Sequence, residues 1–310
     1  MTFVDGPVSV TVPATSANLG PGFDSLGLAL ELRDRLEAEV LGSGLVVEVE
    51  GCGASDVPLD ERHLVVRAMY AAFDVLGARP PGLRLSCHNV IPHARGLGSS
   101  SAAIVGGLAL ARALVAGGTL LLDDDALFVL AARMEGHPDN VAAACFGGFV
   151  ISGHDERPGD SHDGPGEFFA VRADVDPRVG TVALIPPVGV ETEIARGLLP
   201  TEVPHADAAA NAGRAALLVA ALAGHPEHLL RATRDLLHQD YRRPAMPATL
   251  DLVGALRDDG GAAIVSGAGP TVLAFTDGPE SASTAAILSR TPPGWTSHHL
   301  AIDTSGVLVG

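Results

Sequence analysis

The sequence predicts a protein of the α+β class with two domains. Strand-like alternation and helix-like spacing of apolar residues occur in both halves of the chain and follow no regular repeat. A stretch rich in glycine, proline and charged residues, 152–166, separates the halves and is typical of a linker or long exposed loop. The 310 residues, 47% of them hydrophobic, are enough for two full-sized cores. We expect one domain at residues 1–155 and a second at 167–310.

The elements of the first half follow from periodicity and from turn residues. The first alternating strand should end at Pro13, and the first helix has an apolar face, Gly77 as its C-terminal cap and Pro80 as a stop. A turn-rich segment, 14–24, follows the first strand, and a second follows the strand that stops at Pro92. In order, the sequence predicts strand 8–12, strand 45–49, helix 64–76, strand 83–87 and a small-residue helix that ends near 115.

The second half shows the same mixture. Its strands are short and apolar, and its helices carry alanine and leucine at helical spacing. In order, the sequence predicts strand 181–185, helix 208–223, helix 227–238, strands 262–265 and 272–275, helix 281–288 and a final strand at 298–302.

Composition excludes several classes of function. A net charge of −17 argues against nucleic acid and against an anionic membrane surface as partners, because both require a basic face. We expect no membrane span and no signal peptide, and therefore a soluble, cytoplasmic protein. All 20 basic residues are arginine, which excludes a lysine-containing P-loop and a Schiff-base enzyme. The three cysteines are far apart and form neither a disulfide framework nor a thiolate zinc motif.

The clearest chemical motif lies between the strand at 83–87 and the following helix. Glycine at positions 96 and 98 lets the backbone approach a ligand closely, and the start of a helix supplies free N–H groups that bind anions. Three serines, 99–101, add hydroxyls that bind phosphate or ligate Mg²⁺. The alternative is a glycine-rich turn with a serine cap.

Two further segments carry polar groups at turns. Residues 135–140 place two carboxylates, an imidazole and an amide together, which suits metal ligation by Glu135 and orientation of an acceptor hydroxyl. The alternative is that Asp139 or Asn140 caps a helix. Residues 266–271 form a glycine-containing turn between two strands, for which a plain hairpin is the alternative.

In this order the three glycine-bearing segments resemble the GHMP kinases, a family named for galactokinase, homoserine kinase, mevalonate kinase and phosphomevalonate kinase. Residues 12–27, 135–140 and 237–242 are similar to the members that phosphorylate homoserine, in particular those of actinobacteria, and the likeness extends from about Val8 to Phe275. The resemblance implies a two-domain GHMP kinase fold, with an N-terminal nucleotide-binding α+β domain and a C-terminal ferredoxin-like α+β domain.

It also implies the reaction and its components. ATP and Mg²⁺ would be the cofactors, L-homoserine the small-molecule substrate and O-phospho-L-homoserine the product, in threonine biosynthesis. A homodimer is an expectation from similar proteins. Two alternatives stay open: a kinase of the same family that acts on another small hydroxylated acid such as mevalonate, and a non-catalytic sensor of a nucleotide or metabolite.

The resemblance assigns roles to individual residues. Catalytic roles fall to Ser100, Glu135 and Asn140, of which Ser100 and Glu135 would also bind the metal. The substrate would contact Asn18, Asp24, His137, Thr192, Arg196 and Arg242. Both arginines suit a bidentate grip on the amino acid carboxylate, and the carboxylate at position 24 suits its ammonium. ATP would bind Pro92, His93, Ala94, Arg95, Gly96, Leu97, Gly98, Ser99, Ser100, Ser101, Ala102, Gly267 and Gly269. Whether Asp139 is a general base, or no base exists, is left open.

Overall fold

The computed structural model describes residues 2–155 and 167–310, without the side chain of residue 167. In these ranges the strands are β1 (Val8–Ala17), β2 (Leu26–Leu41), β3 (Gly44–Gly51), β4 (Gly82–Asn89), β5 (Phe149–Asp155), β6 (Glu167–Ala173), β7 (Gly180–Ile185), β8 (Ala262–Val265), β9 (Val272–Thr276), β10 (Thr296–Leu300) and β11 (Leu308–Val309). The α-helices are α1 (Leu64–Leu76), α2 (Ser99–Leu114), α3 (Gly118–Leu121), α4 (Asp124–Glu135), α5 (Asp139–Phe146), α6 (Thr192–Gly197), α7 (His205–Gly224), α8 (Leu229–Ala232), α9 (Pro247–Asp258) and α10 (Ala282–Ser289).

The first domain is built on a sheet in which β11, β1, β2, β4 and β3 lie side by side, with β5 and β6 continuing from β2. Its pairs are antiparallel except for β3 and β4, which are parallel. Helices α2 and α5 pack on β1 and β2, and α1 and α4 pack on α2. The start of α2 therefore lies beside the end of β1, which brings the loops that follow β1 and β4 together.

Strand β1 continues through Pro13, whereas the sequence predicted its end there. The register between β1 and β2 shifts between Pro13 and Ala14, and this irregularity accommodates a residue that cannot donate to a ladder. The strand reaches Ala17, so residues 14–17 of the predicted turn-rich segment are strand, and the loop at 18–25 lies at the cleft between the domains.

The second domain has the βαββαβ order of a ferredoxin-like fold, as predicted. Its strands β10, β7, β9 and β8 lie in this spatial order and all pair antiparallel, so the fourth strand flanks the first and the third flanks the second. Helix α9 packs on β8, and α10 packs on β7 and β9. The α+β fold class and the two-domain arrangement are confirmed.

The predicted helix at 227–238 is wrong in its second half. A 3₁₀ turn, Pro226–His228, leads into α8, which ends at Ala232. The carboxylate of Asp235 accepts the backbone N–H groups of Leu237, His238 and Gln239 at 2.7–3.0 Å, and thereby replaces helical hydrogen bonds with a turn. The predicted final strand is followed by β11, which the sequence analysis missed.

The predicted domain boundary falls at residues that the structure does not describe, 156–166. On either side of them β5 and β6 pair with each other in the first sheet, with Asp155 opposite Glu167. At its C-terminus the chain also returns to the first sheet through β11. The division at residue 155 stays a prediction.

Within the described residues, α7 is the one helix whose length and composition would suffice to cross a membrane. Leu218, Ala221 and Leu222 of this helix are buried in the main hydrophobic core. Its buried Asn211 donates to the carbonyl oxygen of Pro21 at 2.8 Å and accepts the N–H of Leu236 at 3.1 Å. These contacts pack α7 into the folded protein and tie it to the β1–β2 loop.

Candidate active site

A cleft of about 440 Å³ lies where the loops of both domains meet. The segments that form it come from the β1–β2 loop, the β4–α2 loop, the α4–α5 turn, α6, the turn at residues 240–242 and the β8–β9 loop. The lining includes Asn18, Asp24, Gly96, Gly98, Ser99, Ser100, Glu135, His137, Asn140, Thr192, Arg196, Arg242 and Gly267. The three glycine-bearing segments and all predicted substrate-contacting residues therefore meet at one place.

The β4–α2 loop has the backbone geometry of an anion site. Gly96 and Gly98 have φ angles of 72° and 70°, in the left-handed region that favours glycine. A Cβ on Gly96 would overlap the carbonyl oxygen of Ser266, and a Cβ on Gly98 would overlap the hydroxyl of Thr15. Gly98 precedes the first residue of α2 and has no side chain to cap it, so the first-turn N–H groups are available to an anion.

The β8–β9 loop packs against this anion loop. Ser266 Oγ donates to the carbonyl oxygen of Gly96 at 2.6 Å, and Gly267 N donates to the carbonyl oxygen of Ala17 at 3.1 Å. The β1–β2 loop, the anion loop and the β8–β9 loop are thus joined by direct hydrogen bonds. The position predicted for Gly267 and Gly269, beside the phosphate loop, agrees with this geometry.

Not every residue of the predicted ATP segment faces the cleft. The guanidinium of Arg95 donates to the carbonyl oxygens of Pro186 at 3.1 Å, of Pro187 and of His93 at 2.8 Å. It therefore ties the anion loop to the second domain rather than pointing at a ligand. His93 lines a separate cavity, described below.

Glu135 lies against the start of α2. Its Oε1 atom accepts hydrogen bonds from Ser100 Oγ at 2.6 Å and from Ser101 Oγ at 2.9 Å. Ser100 and Glu135 line the cleft, and Ser101 is fully buried beneath them. A carboxylate and a hydroxyl side by side next to an anion loop form the oxygen donor set that Mg²⁺ prefers.

The α4–α5 turn holds its polar groups in fixed orientations. Asn140 Oδ1 accepts from Thr15 Oγ1 at 2.8 Å, and the amide NH₂, which has no hydrogen-bond partner among the described residues, is the group that can donate to a ligand. Asp139 is buried, and its Oδ1 contacts His137 Nδ1 at 3.1 Å and accepts Asn140 N–H at 2.8 Å. Burial lowers the pKa of His137, but the hydrogen bond and charge of Asp139 and the charge of Glu135 outweigh it, and the net pKa is raised.

The two groups predicted to hold opposite ends of the substrate contact each other. Arg196 Nη1 and Nη2 donate to Asp24 Oδ2 and Oδ1 at 3.0 and 2.5 Å, a bidentate pair that joins α6 to the β1–β2 loop. Both side chains remain about one-third exposed. This hydrogen bond and the charge of Asp24 raise the pKa of Arg196 against the opposing effect of burial.

Arg242 differs from Arg196 in having no carboxylate partner within salt-bridge distance among the described residues. It is 1% exposed, and its Nη1 contacts the carbonyl oxygen of Gly267 and the imidazole Nδ1 of His238, both at 3.0 Å. Its Nε has no hydrogen-bond partner in the described chain. Burial and the charge of Arg196 lower its pKa to about 10, so the guanidinium stays charged at neutral pH.

Backbone strain is concentrated around this cleft. In the described chain the non-glycine residues with positive φ are Asn18 at 65°, Leu19 at 47°, Asp24 at 53° and Ala94 at 53°. The left-handed region costs most L-residues about 1–2 kcal/mol and asparagine or aspartate less, and strain of this kind collects at functional sites. The side chain of Asn18 stabilises the loop, donating to the carbonyl oxygen of Gly267 at 2.9 Å and accepting Asp24 N–H at 3.0 Å.

A second cavity of about 250 Å³ shares Ser99 and Ser100 with the cleft. Its walls combine apolar and polar side chains, including Val57, Pro58, His63, Leu64, Asn89 and His93. His63 is 5% exposed, and its Nδ1 has no partner in the described chain. The sequence analysis assigned no function to residues 57–65, because apolar residues before a helix carry no signal beyond that of a loop.

The sequence analysis gave no role to Phe23 or His238, although they lie in the segments 12–27 and 237–242 that carry the resemblance. The ring centroid of Phe23 lies 5.4 Å from the Arg196 guanidinium carbon, 5.8 Å from that of Arg242 and 5.2 Å from the His238 ring, so it lies close to both cations. The spacing of Phe23 and His238 in the chain, more than two hundred residues, hides this contact from any local pattern.

Comparisons with known proteins agree with the architecture. Residues 63–148 match the family description "GHMP kinases N terminal domain", and residues 216–288 match "GHMP kinases C terminal". A homoserine kinase of Streptomyces avermitilis is 52% identical over 302 residues, which cover 97% of this chain and 95% of that protein. A homoserine kinase of Clavibacter michiganensis is 50% identical and covers 97% and 93% of the two chains.

Solved structures give the same result. The homoserine kinase of Cytophaga hutchinsonii aligns over 100% of this chain and 99% of its own, with a TM-score of 0.83 at 25% identity. The mevalonate kinase of L. major aligns over 98% of both chains with a TM-score of 0.65 at 15% identity, which shows a shared fold. This chain therefore belongs to the GHMP kinase family, in which its curated relatives at about 50% identity are homoserine kinases.

Proposed function

We propose that the enzyme transfers the γ-phosphoryl group of ATP to the side-chain hydroxyl of L-homoserine, giving ADP and O-phospho-L-homoserine for threonine biosynthesis. The observation that carries this proposal is Arg242, a buried guanidinium that faces the cleft and has no carboxylate partner among the described residues. An unpaired buried charge is strongly destabilising unless a ligand pairs with it. The substrate carboxylate is the natural partner.

The Asp24–Arg196 pair explains how the cleft would select an amino acid. L-Homoserine carries both an ammonium and a carboxylate, so it offers each member of the pair a replacement partner. The ammonium would contact Asp24, and the carboxylate would lie between Arg196 and Arg242. A hydroxy acid without an amine would bind Arg196 through its own carboxylate and leave Asp24 without a partner. The pair thus favours zwitterions over simple anions.

ATP would lie across the anion loop. We place the adenine in the cavity beside His63 and the phosphates on the N–H groups at the start of α2, since Ser99 and Ser100 line both cavities. The γ-phosphate would then point into the cleft. In a chain without lysine, backbone N–H groups and the positive end of the helix dipole would bind the phosphates, together with hydroxyls and the metal.

Ser100 and Glu135 fit a magnesium site, because their oxygens lie 2.6 Å apart beside the anion loop. Bound there together with ATP, Mg²⁺ would neutralise the charge that builds up on the phosphates. Asn140, which Thr15 holds in place, would donate its amide N–H to the substrate that accepts the phosphoryl group. Asp139 would hold His137 in a fixed orientation. Alignment and charge neutralisation would carry the catalysis, as suits a loose phosphoryl-transfer transition state.

The first test is ADP release by the purified protein with ATP and Mg²⁺. We expect selective turnover of L-homoserine over D-homoserine, L-serine, L-threonine and mevalonate. Turnover of mevalonate in place of L-homoserine would keep the fold and the phosphate site but overturn the acceptor assignment. Binding of ATP without turnover of any alcohol would favour the sensor alternative.

Two further expectations have their own tests. Gel filtration with light scattering tests the proposed homodimer, and fractionation of cells tests the proposed cytoplasmic location.

Replacing Asp24 with asparagine should raise the KM for L-homoserine by about 10- to 100-fold, because a hydrogen bond between charged partners contributes about 1.5–3 kcal/mol. The measurement is steady-state ADP release with L-homoserine and with 4-hydroxybutyrate, which lacks the ammonium. Discrimination between the two should shrink in the Asp24→Asn variant. Asp74→Asn is the control, since its partner Arg79 and the pair as a whole are exposed. Unchanged discrimination would contradict the ammonium role of Asp24.

A further inference from the structure

His238 contacts two groups that require different states of its two ring nitrogens. The side chain is fully buried, with Nε2 at 2.7 Å from the carbonyl oxygen of Gly20 and Nδ1 at 3.0 Å from Arg242 Nη1. A carbonyl oxygen only accepts, so Nε2 must carry a proton. A guanidinium only donates, so Nδ1 must carry none. These two contacts together fix a neutral imidazole in the Nε2–H tautomer.

The charges around the ring are consistent with this state. Burial and the charge of Arg242 lower the pKa of His238, whereas Asp235, the Gly20 carbonyl and Asp24 act in the opposite direction, and the net pKa is lowered. Asp235 Oδ1 lies 3.7 Å from Nε2, but the same carboxylate accepts three backbone N–H groups of its own turn.

A neutral acceptor has a consequence for Arg242 that a carboxylate would not have. Asp24 orients Arg196 but also neutralises it, as their bidentate contact shows. His238 and the carbonyl of Gly267 both accept from Arg242 Nη1 and thus orient the guanidinium without cancelling its charge. The full charge of this arginine remains available to a ligand in the cleft.

We propose that His238 is a positioning residue that, as the neutral Nε2–H tautomer, aims the Arg242 guanidinium at the substrate carboxylate. The inference rests on the proposed function for the identity of that carboxylate. It assigns His238 no contact with the substrate and no proton transfer. Through this contact the β1–β2 loop, by way of Gly20, and the carboxylate-binding arginine are held in one arrangement.

Two variants separate the roles of the two nitrogens. His238→Asn places an acceptor oxygen close to the position of Nδ1 and removes the donor to Gly20. His238→Gln places a donor close to the position of Nε2 and removes the acceptor for Arg242. We expect His238→Asn to keep the KM for L-homoserine within about threefold of wild type. We expect His238→Gln to raise it about tenfold or more, as loss of one charge-assisted contact would.

The readouts are steady-state KM for L-homoserine and for ATP, with thermal unfolding of both variants as a measure of packing. A purely structural role would change the unfolding temperature and both KM values together, and a higher homoserine KM in the Asn variant than in the Gln variant would overturn the proposal. Two-bond ¹H–¹⁵N correlation spectra of the wild type should show His238 as the Nε2–H tautomer, and an imidazolium or Nδ1–H pattern would also overturn it. Absence of wild-type turnover with L-homoserine would instead overturn the proposed function, while the spectra still test the tautomer.

Discussion

Replacing Arg242 with alanine should raise the KM for L-homoserine by about 100-fold or more and change the KM for ATP by less than about threefold. Loss of one partner from a desolvated ion pair costs about 2–5 kcal/mol, and each 1.4 kcal/mol is a factor of ten in affinity. Arg242 lines the acceptor cleft and is absent from the cavity assigned to adenine, so the effect should fall on the amino acid. Steady-state ADP release with each substrate varied in turn measures both constants.

The neighbouring residue supplies a matched control. Arg243 pairs with Asp251 on the surface, and Arg243→Ala should leave both KM values unchanged because exposed pairs contribute little. Arg242→Lys should recover only part of the loss, since an ammonium lacks the forked geometry that binds a carboxylate in a bidentate manner. Equal increases in both KM values for Arg242→Ala would contradict its assignment to the acceptor side.

The sequence was most informative where a local pattern has one physical solution. The apolar face of residues 64–76 followed by Gly77 predicted α1 with its bounds, and Gly77 indeed adopts a left-handed C-cap with φ 62°. Gly96 and Gly98 between a strand and a helix predicted a tight loop whose backbone can approach a ligand closely, and both glycines have positive φ angles there. That this loop binds an anion stays a prediction. The absence of lysine restricts any phosphate chemistry to backbone amides, hydroxyls, arginine and a metal, which stays a prediction.

Features that depend on contacts distant in sequence could not be predicted. Asp24 and Arg196 were assigned separately to the two ends of the substrate, and their mutual contact across 172 residues appears only in the folded chain. The long β2 has an apolar first part that pairs with β5 and an alternating second part that pairs with β4, so no single period describes it. The turn after α8 forms because the Asp235 carboxylate accepts backbone N–H groups that a continued helix would bond to its own carbonyl oxygens. The spacing of apolar residues gives no information about such a side-chain hydrogen bond.

Replacing Glu135 with glutamine should lower kcat by about 100-fold or more at saturating ATP and raise the Mg²⁺ concentration needed for half-maximal rate. Glutamine keeps the size of the side chain and can still accept from Ser100 and Ser101, so the change removes mainly the negative charge. A metal–phosphate interaction of several kcal/mol depends on that charge, and each 1.36 kcal/mol in the barrier is tenfold in rate. ADP release titrated with Mg²⁺ measures both effects.

The chain allows a test that this loss comes from the metal rather than from packing. Glu39→Gln on the outer sheet, where Glu39 pairs with the partly exposed Arg84, should leave the magnesium titration unchanged. If Ser100 and Glu135 hold the same cation, Ser100→Ala added to Glu135→Gln should lower kcat much less than Ser100→Ala does alone, because residues that act as one unit are not additive. If the two substitutions lower kcat independently, so that their factors multiply, Ser100 and Glu135 do not bind the same cation. The carboxylate that binds the metal would then have to be another residue of the cleft. The hydrogen bond of 2.6 Å between Ser100 and Glu135 is the observation that favours the shared site.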